Sequence, residues 1–157
     1  AGSPSDRPSS PVGDEVVALF GAPVPHAHHA LDGLLAACDM QVAQRELLRA
    51  WGAAEWPTPG IGIGLSTGEV AVGNMGTERM MYYTALGYWM NLGSRLCSAA
   101  ESDEILTIPQ THAQALQSLK SRDNLGRVPH LRFRSRGVFR FKNFVEPTEV
   151  LEVLRPQ

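Results

Sequence analysis

The stretch Gly62-Ile63-Gly64-Leu65-Ser66-Thr67-Gly68-Glu69-Val70-Ala71-Val72 decides how this chain folds. Ile61, Ile63 and Leu65 alternate with glycines at strand period, and Ser66-Thr67-Gly68 turns the chain into a second strand over Glu69 to Val72. Met80 to Leu86 is a third strand. Trp89, Leu92, Leu96 and Ala99 then recur at helical spacing. Hairpins of this kind rule out a purely parallel sheet. Outward from that centre, Ala1 to Val12 is rich in Ser and Pro and predicts a flexible leader. Glu15 to Phe20 is a short apolar strand, and Leu31, Leu34, Leu35, Cys38 and Val42 place a long amphipathic helix over roughly 30–51. Pro57 to Gly60 breaks the chain. Ile105 to Ile108 is a strand, and Pro109 opens a short helix to about Leu119. Two strands close the chain, near Leu131–Phe141 and Thr148–Leu154. The expected architecture is α+β: one mixed, mostly antiparallel sheet with helices packed mainly on one face.

Bulk properties narrow the function. With 157 residues, the chain holds one domain with a real core. Its apolar fraction is 43%, and a net charge of −2 gives no general attraction to nucleic acid or acidic membranes. No run of about 18 apolar residues is present, so no membrane contact is expected from this segment. The two cysteines, Cys38 and Cys97, lie in apolar helical patterns and read as buried thiols, which suits a reducing cytoplasm.

Chemistry concentrates at Asn91 and Arg95. Four residues apart on a helix, they share one face. An amide offers a paired donor and acceptor to a sugar oxygen, and a guanidinium offers forked, permanent charge to phosphate. Two other clusters draw attention and carry less. His26, His28 and His29 follow Pro25 without helical i, i+4 spacing, and read as a solvated loop rather than a metal site. Arg132, Arg134 and Arg136 alternate with Leu131 and Phe133, so the basic groups share one strand face while the aromatic falls on the other. An RNA-binding sheet places its aromatics among its cations, so no nucleic-acid partner is expected.

Three ordered blocks, Gly13-Asp14 to Gly21, Gly62 to Gly76, and Tyr83-Thr84 to Arg95, resemble the catalytic domain of class III adenylate/guanylate cyclases, most closely the bacterial and soluble-type branch. The resemblance runs from about Gly13 to Val153, and implies a leader over 1–12 and one cyclase domain over 13–154. It implies a ferredoxin-like fold, here without the family's first strand and the helices after it. It also implies conversion of ATP to 3′,5′-cyclic AMP and pyrophosphate at a dimer interface, with two Mg²⁺ or Mn²⁺ ions held by aspartates. Residue by residue, Asp14 matches a metal aspartate. Asn91 and Arg95 match the pair that orients ribose and stabilises phosphoryl charge. Thr84 falls at the base-selecting position and favours ATP over GTP, and Lys142 matches a lysine on the terminal phosphates.

The departures are specific. Nothing in Ala1–Val12 resembles the strand that supplies the second metal aspartate, Ser10 stands where the family has a base-selecting lysine, and Tyr88 stands where it has a small polar residue. The resemblance therefore implies a chain weakly active or inactive by itself, with a non-catalytic dimerising or regulatory module as the alternative.

Overall fold

A computed structural model describes residues 8–12, 15–53, 59–77, 80–122 and 131–154. Its centre is a four-stranded sheet ordered β3 (Ile63–Gly64), β6 (Ile105–Thr107), β8 (Thr148–Leu154) and β7 (Arg132–Phe139). β3 runs parallel to β6, and β8 is antiparallel to both β6 and β7. The parallel step is possible because the intervening chain is long enough to cross over. It contains a second antiparallel pair, β4 (Ala71–Thr77) with β5 (Met80–Leu86), and helix α2 (Tyr88–Ala99).

Alternation along the strands sends neighbouring residues to opposite faces, and helices cover both. On one face, α1 (His29–Ala53) and α3 (Pro109–Arg122) bury Leu31, Leu34, Ala37, Cys38 and Ala115 against Ile105 and Val153. On the other, α2 buries Leu92 and Leu96 against Leu106, Ile108 and Val150. Two helices thus share a face as expected, while α2 takes the opposite one. Burial of a leucine-sized side chain is worth about 1.5–3 kcal/mol, so the sheet is held from both sides. Gln41, fully buried on α1, donates from Nε2 to the carbonyls of Ile61 at 2.9 Å and Glu104 at 3.4 Å. It ties α1 to the chain entering both β3 and β6.

Two boundaries differ from the sequence reading. The strand expected over Glu69 to Val72 begins only at Ala71 and runs on to Thr77. The supposed leader also ends in a strand: β1 (Pro8–Val12) pairs antiparallel with β2 (Glu15–Ala18), its register irregular between Pro8 and Ser10. Proline fixes φ without forbidding extended backbone, so Ser/Pro content alone does not make a linker. β1 also lies beside β5. Among the described residues, no helix is long and apolar enough to cross a membrane.

Candidate active site

The glycines of the opening stretch build the seat of α2. A Cβ on Gly64 would stand 2.2 Å from the Cys97 nitrogen and 2.5 Å from the Gly93 oxygen, so helix and strand meet backbone to backbone. A Cβ on Gly62 would stand 2.7 Å from the Ala100 oxygen, and one on Gly68 would lie 2.1 Å from the Trp89 indole nitrogen. Only glycine permits such approaches. Ser66 donates its hydroxyl to the Trp89 carbonyl, and the Cys97 thiol reaches the Gly62 carbonyl at 3.5 Å. Neither cysteine forms a disulfide, and Cys97 is half-buried where Cys38 is buried. The glycine period thus serves helix docking on one face, while Ile63 and Leu65 pack toward α1 on the other.

α2 begins after Gly87 (φ 140°), with no side-chain cap, and its first closing bond runs from the Asn91 amide to the Gly87 carbonyl at 3.2 Å. Leu92 and Leu96 take the buried stripe. Asn91 is exposed and Arg95 half-buried on the flank, one turn apart. Among the described residues Arg95 has neither an ion pair nor a side-chain hydrogen bond. Thr84 is half-buried on β5, opposite Gly73, where an added Cβ would meet nothing within 4 Å. The missing side chain leaves open space across the strand pair from Thr84. Lys142 is exposed in the turn between β7 and β8, which is closed by the Phe144 amide donating to the Phe141 carbonyl at 3.2 Å.

The fold brings the Lys142 turn to α2. Phe144 meets Tyr88 edge-to-face at 5.0 Å, and Tyr88 meets Trp89 at 4.9 Å. Tyr88 is therefore engaged with two rings. A cleft of about 250 Å³ opens behind it, floored by Leu92, Ile108 and Pro147, and its lining includes none of Asn91, Arg95, Thr84 or Lys142. Asp14 falls in the connection between β1 and β2 and lies outside the described residues. Among the described residues, no group of three or more His, Cys, Asp or Glu side chains could hold a metal ion. The described side chains therefore do not by themselves fit a metal pair.

The two secondary clusters have structural explanations. Arg134 donates from Nε and Nη2 to Oε2 of Glu152, at 3.1 and 2.6 Å. Arg136 reaches Glu104 at 2.9 Å and Glu152 at 3.5 Å. A β-bulge between Ser135 and Gly137 leaves Arg136 as the extra residue facing these carboxylates. The arginine row is thus largely neutralised within the protein. The histidines are half-buried rather than a solvated loop. Gly21 packs on the His29 side chain, His26 stands 3.6 Å from Asp32, and His26 and His29 meet edge-to-face at 6.2 Å. Burial, and then the neighbouring His26, lower the His29 pKa, while Asp32 opposes them.

Comparison with known proteins agrees with this construction. Residues 10–139 match the family described as the adenylate and guanylate cyclase catalytic domain. The adenylyl cyclase CyaB of P. aeruginosa is 28% identical with a TM-score of 0.78, over 97% of this chain and 73% of that one. The guanylyl cyclase Cya2 is 27% identical with a TM-score of 0.79, over 97% of this chain and 71% of that one. An uncharacterised protein of Mycobacterium tuberculosis is 34% identical over 122 residues, which are 76% of this chain and 20% of the relative. The chain thus spans about a fifth of the length of such curated relatives. It belongs to the adenylate and guanylate cyclase catalytic domain family, and its α+β fold is that of class III cyclase domains.

Proposed function

We propose that this domain forms part of an adenylate cyclase, converting ATP to 3′,5′-cyclic AMP with release of pyrophosphate. The observation that carries the reading is Arg95: half-buried, fixed on a helix seated on glycine, and without a counter-ion among the described residues. A partly desolvated guanidinium without a carboxylate partner is costly unless an anion arrives, and a triphosphate supplies one.

In the reaction, the ribose 3′-oxygen bonds the α-phosphorus as the bond from that phosphorus to pyrophosphate breaks. The hydroxyl proton passes to solvent or to the departing pyrophosphate. Arg95 faces the charge that grows on the phosphoryl oxygens, where a pre-oriented donor lowers the barrier. Asn91, one turn earlier, holds the ribose through its amide. Lys142 takes the terminal phosphates as a mobile point charge. The Thr84 hydroxyl accepts from the adenine amino group in the space beside Gly73, and this favours ATP over GTP. The proposed metal residue of this chain is Asp14, with Mg²⁺ or Mn²⁺ as hard cations suited to carboxylate oxygen. When bound, two such ions would stabilise the attacking and leaving oxygens. We place Asp14 of one subunit opposite Asn91 and Arg95 of another, in a homodimer or a paired cyclase domain.

The deciding experiment is a cyclase assay with Mn²⁺ and ATP or GTP, on this chain and on a longer protein in which it is extended at its N-terminus. Cyclic AMP should form faster than cyclic GMP in the longer protein. Faster cyclic GMP would overturn the substrate, and no product from either nucleotide would leave a non-catalytic, regulatory module as the reading. Sharing of the site is tested by mixing Asp14→Ala with Asn91→Ala after subunit exchange. A two-fold dimer should regain roughly a quarter of wild-type sites, and no recovery would place each site within one subunit.

A further inference from the structure

We propose that Tyr88 is a positioning residue: its ring braces the Lys142 turn against the first turn of α2, and so sets the spacing between Lys142 and the Asn91/Arg95 face. The inference rests on the reading of those residues as nucleotide ligands.

The brace is continuous. The Trp89 indole lies on Gly68, where no larger residue fits, and its carbonyl accepts the Ser66 hydroxyl. Tyr88 stands edge-to-face on Trp89, with ring centroids 4.9 Å apart and planes at 84°. Its other contact is Phe144, at 5.0 Å and 68°. Phe144 in turn lies 6.2 Å from Phe141, which lies 5.8 Å from Phe139, and all three pack on the core beneath α2. Lys142 and Asn143 occupy the tip between Phe141 and Phe144, with Asn143 at φ 70°. The tip is therefore held at both ends by rings, and one end is held from α2.

Tyr88 remains 50% exposed. A ring half in solvent contributes less to the core than Leu92 or Leu96, so its two directed contacts are what its removal would chiefly forfeit. Edge-to-face geometry favours these contacts because the positive ring edge meets a negative face. The phenol hydroxyl has no described partner, so the contacts need the ring alone. Arg95 lies two turns further along α2, within about 20° of Tyr88 around the axis. A change in how Tyr88 sits thus bears on where the Lys142 turn lies relative to that face.

The test uses Tyr88→Ala and Tyr88→Phe. In the active longer protein, Tyr88→Ala should raise KM for ATP about three- to tenfold, the scale of one or two lost aromatic contacts, with kcat changed less. Tyr88→Phe should match wild type. In a Lys142→Ala background, Tyr88→Ala should add nothing further to KM, because the two act through one group. A fall in kcat at constant KM, or full additivity with Lys142→Ala, would overturn the proposal. A second measurement needs no activity: amide exchange at Phe144 in the 157-residue chain. It should quicken in Tyr88→Ala and not in Tyr88→Phe, and unchanged exchange in Tyr88→Ala would also overturn the brace. If the longer protein cyclises neither nucleotide, the cyclase reading fails while this exchange measurement still decides the brace.

Discussion

Helix α2 carries one arginine and strand β7 a row of three, and the fold treats the two oppositely. On β7, Arg134 and Arg136 close on Glu152 and Glu104, carboxylates whose side chains are only 13% exposed. On α2, Arg95 is half-buried without such a partner among the described residues. Basic residues on a sheet look like a binding surface in sequence, but here Arg134 and Arg136 are balanced by Glu152 on β8 and Glu104 just before β6. The lone arginine on the helix looks less conspicuous, yet no carboxylate faces it among the described residues. What matters is the charge facing each cation, not the number of cations in a row.

That contrast breaks most readily in the kinetics. Arg95→Ala should lower kcat of the active longer protein by roughly 10²-fold, the scale of one lost transition-state donor, with little change in thermal midpoint. Arg134→Ala should leave turnover within twofold and cost at most about 1 kcal/mol, as exposed pairs do. If both slow turnover equally, the distinction between them is wrong.

Next in size is the seat of α2. Gly64→Ala would drive a methyl into the Cys97 nitrogen and the Gly93 carbonyl, and neither is a flexible side-chain end. Urea unfolding should show a loss of about 1–3 kcal/mol or more. Gly73→Ala, with open space around it, should stay within about 0.5 kcal/mol. Equal losses would mean that α2 is not held by backbone contact.

The arginine row can also be uncovered. Glu152→Gln removes the carboxylate shared by Arg134 and Arg136. The variant should bind a single-stranded oligonucleotide more tightly than the parent at low salt, and lose that binding as salt rises. No gain would show that neutralisation is not what keeps the row from acting as a nucleic-acid surface.

The smallest effect concerns His29, whose folded pKa is lowered by burial from the ordinary 6.5. The unfolded chain therefore binds the proton more readily, and stability is lost as pH falls from about 6.5 to the folded value. His29→Gln should flatten that part of the pH profile. An unchanged slope would show that His29 does not carry it.

Much of the fold could be inferred from pattern. β5 and β8 fall where alternation and turn residues place them, and α2 follows from Trp89, Leu92 and Leu96. Alternation alone puts the start of β4 too early, because Glu69 and Val70 continue it without pairing. β1 is not legible from composition, because proline and serine weaken propensity while leaving extended backbone available. At the candidate site, the i, i+4 spacing put Asn91 and Arg95 together with no tertiary information. The engagement of Tyr88 was out of reach, since Phe144 lies 56 positions along the chain and no local period links them.

The sequence by itself determined the alternation of strands and helices, the family, and the shared helical face of Asn91 and Arg95. These depend on the local periods of backbone geometry and on the order of motifs. Only the tertiary structure decided that glycines 62, 64 and 68 form a docking floor, that Tyr88 is packed between two rings, and that Arg134 and Arg136 are paired while Arg95 has no described counter-ion. Each of those depends on which distant residue arrives within a few ångströms, and packing and Coulomb energies change steeply over that range.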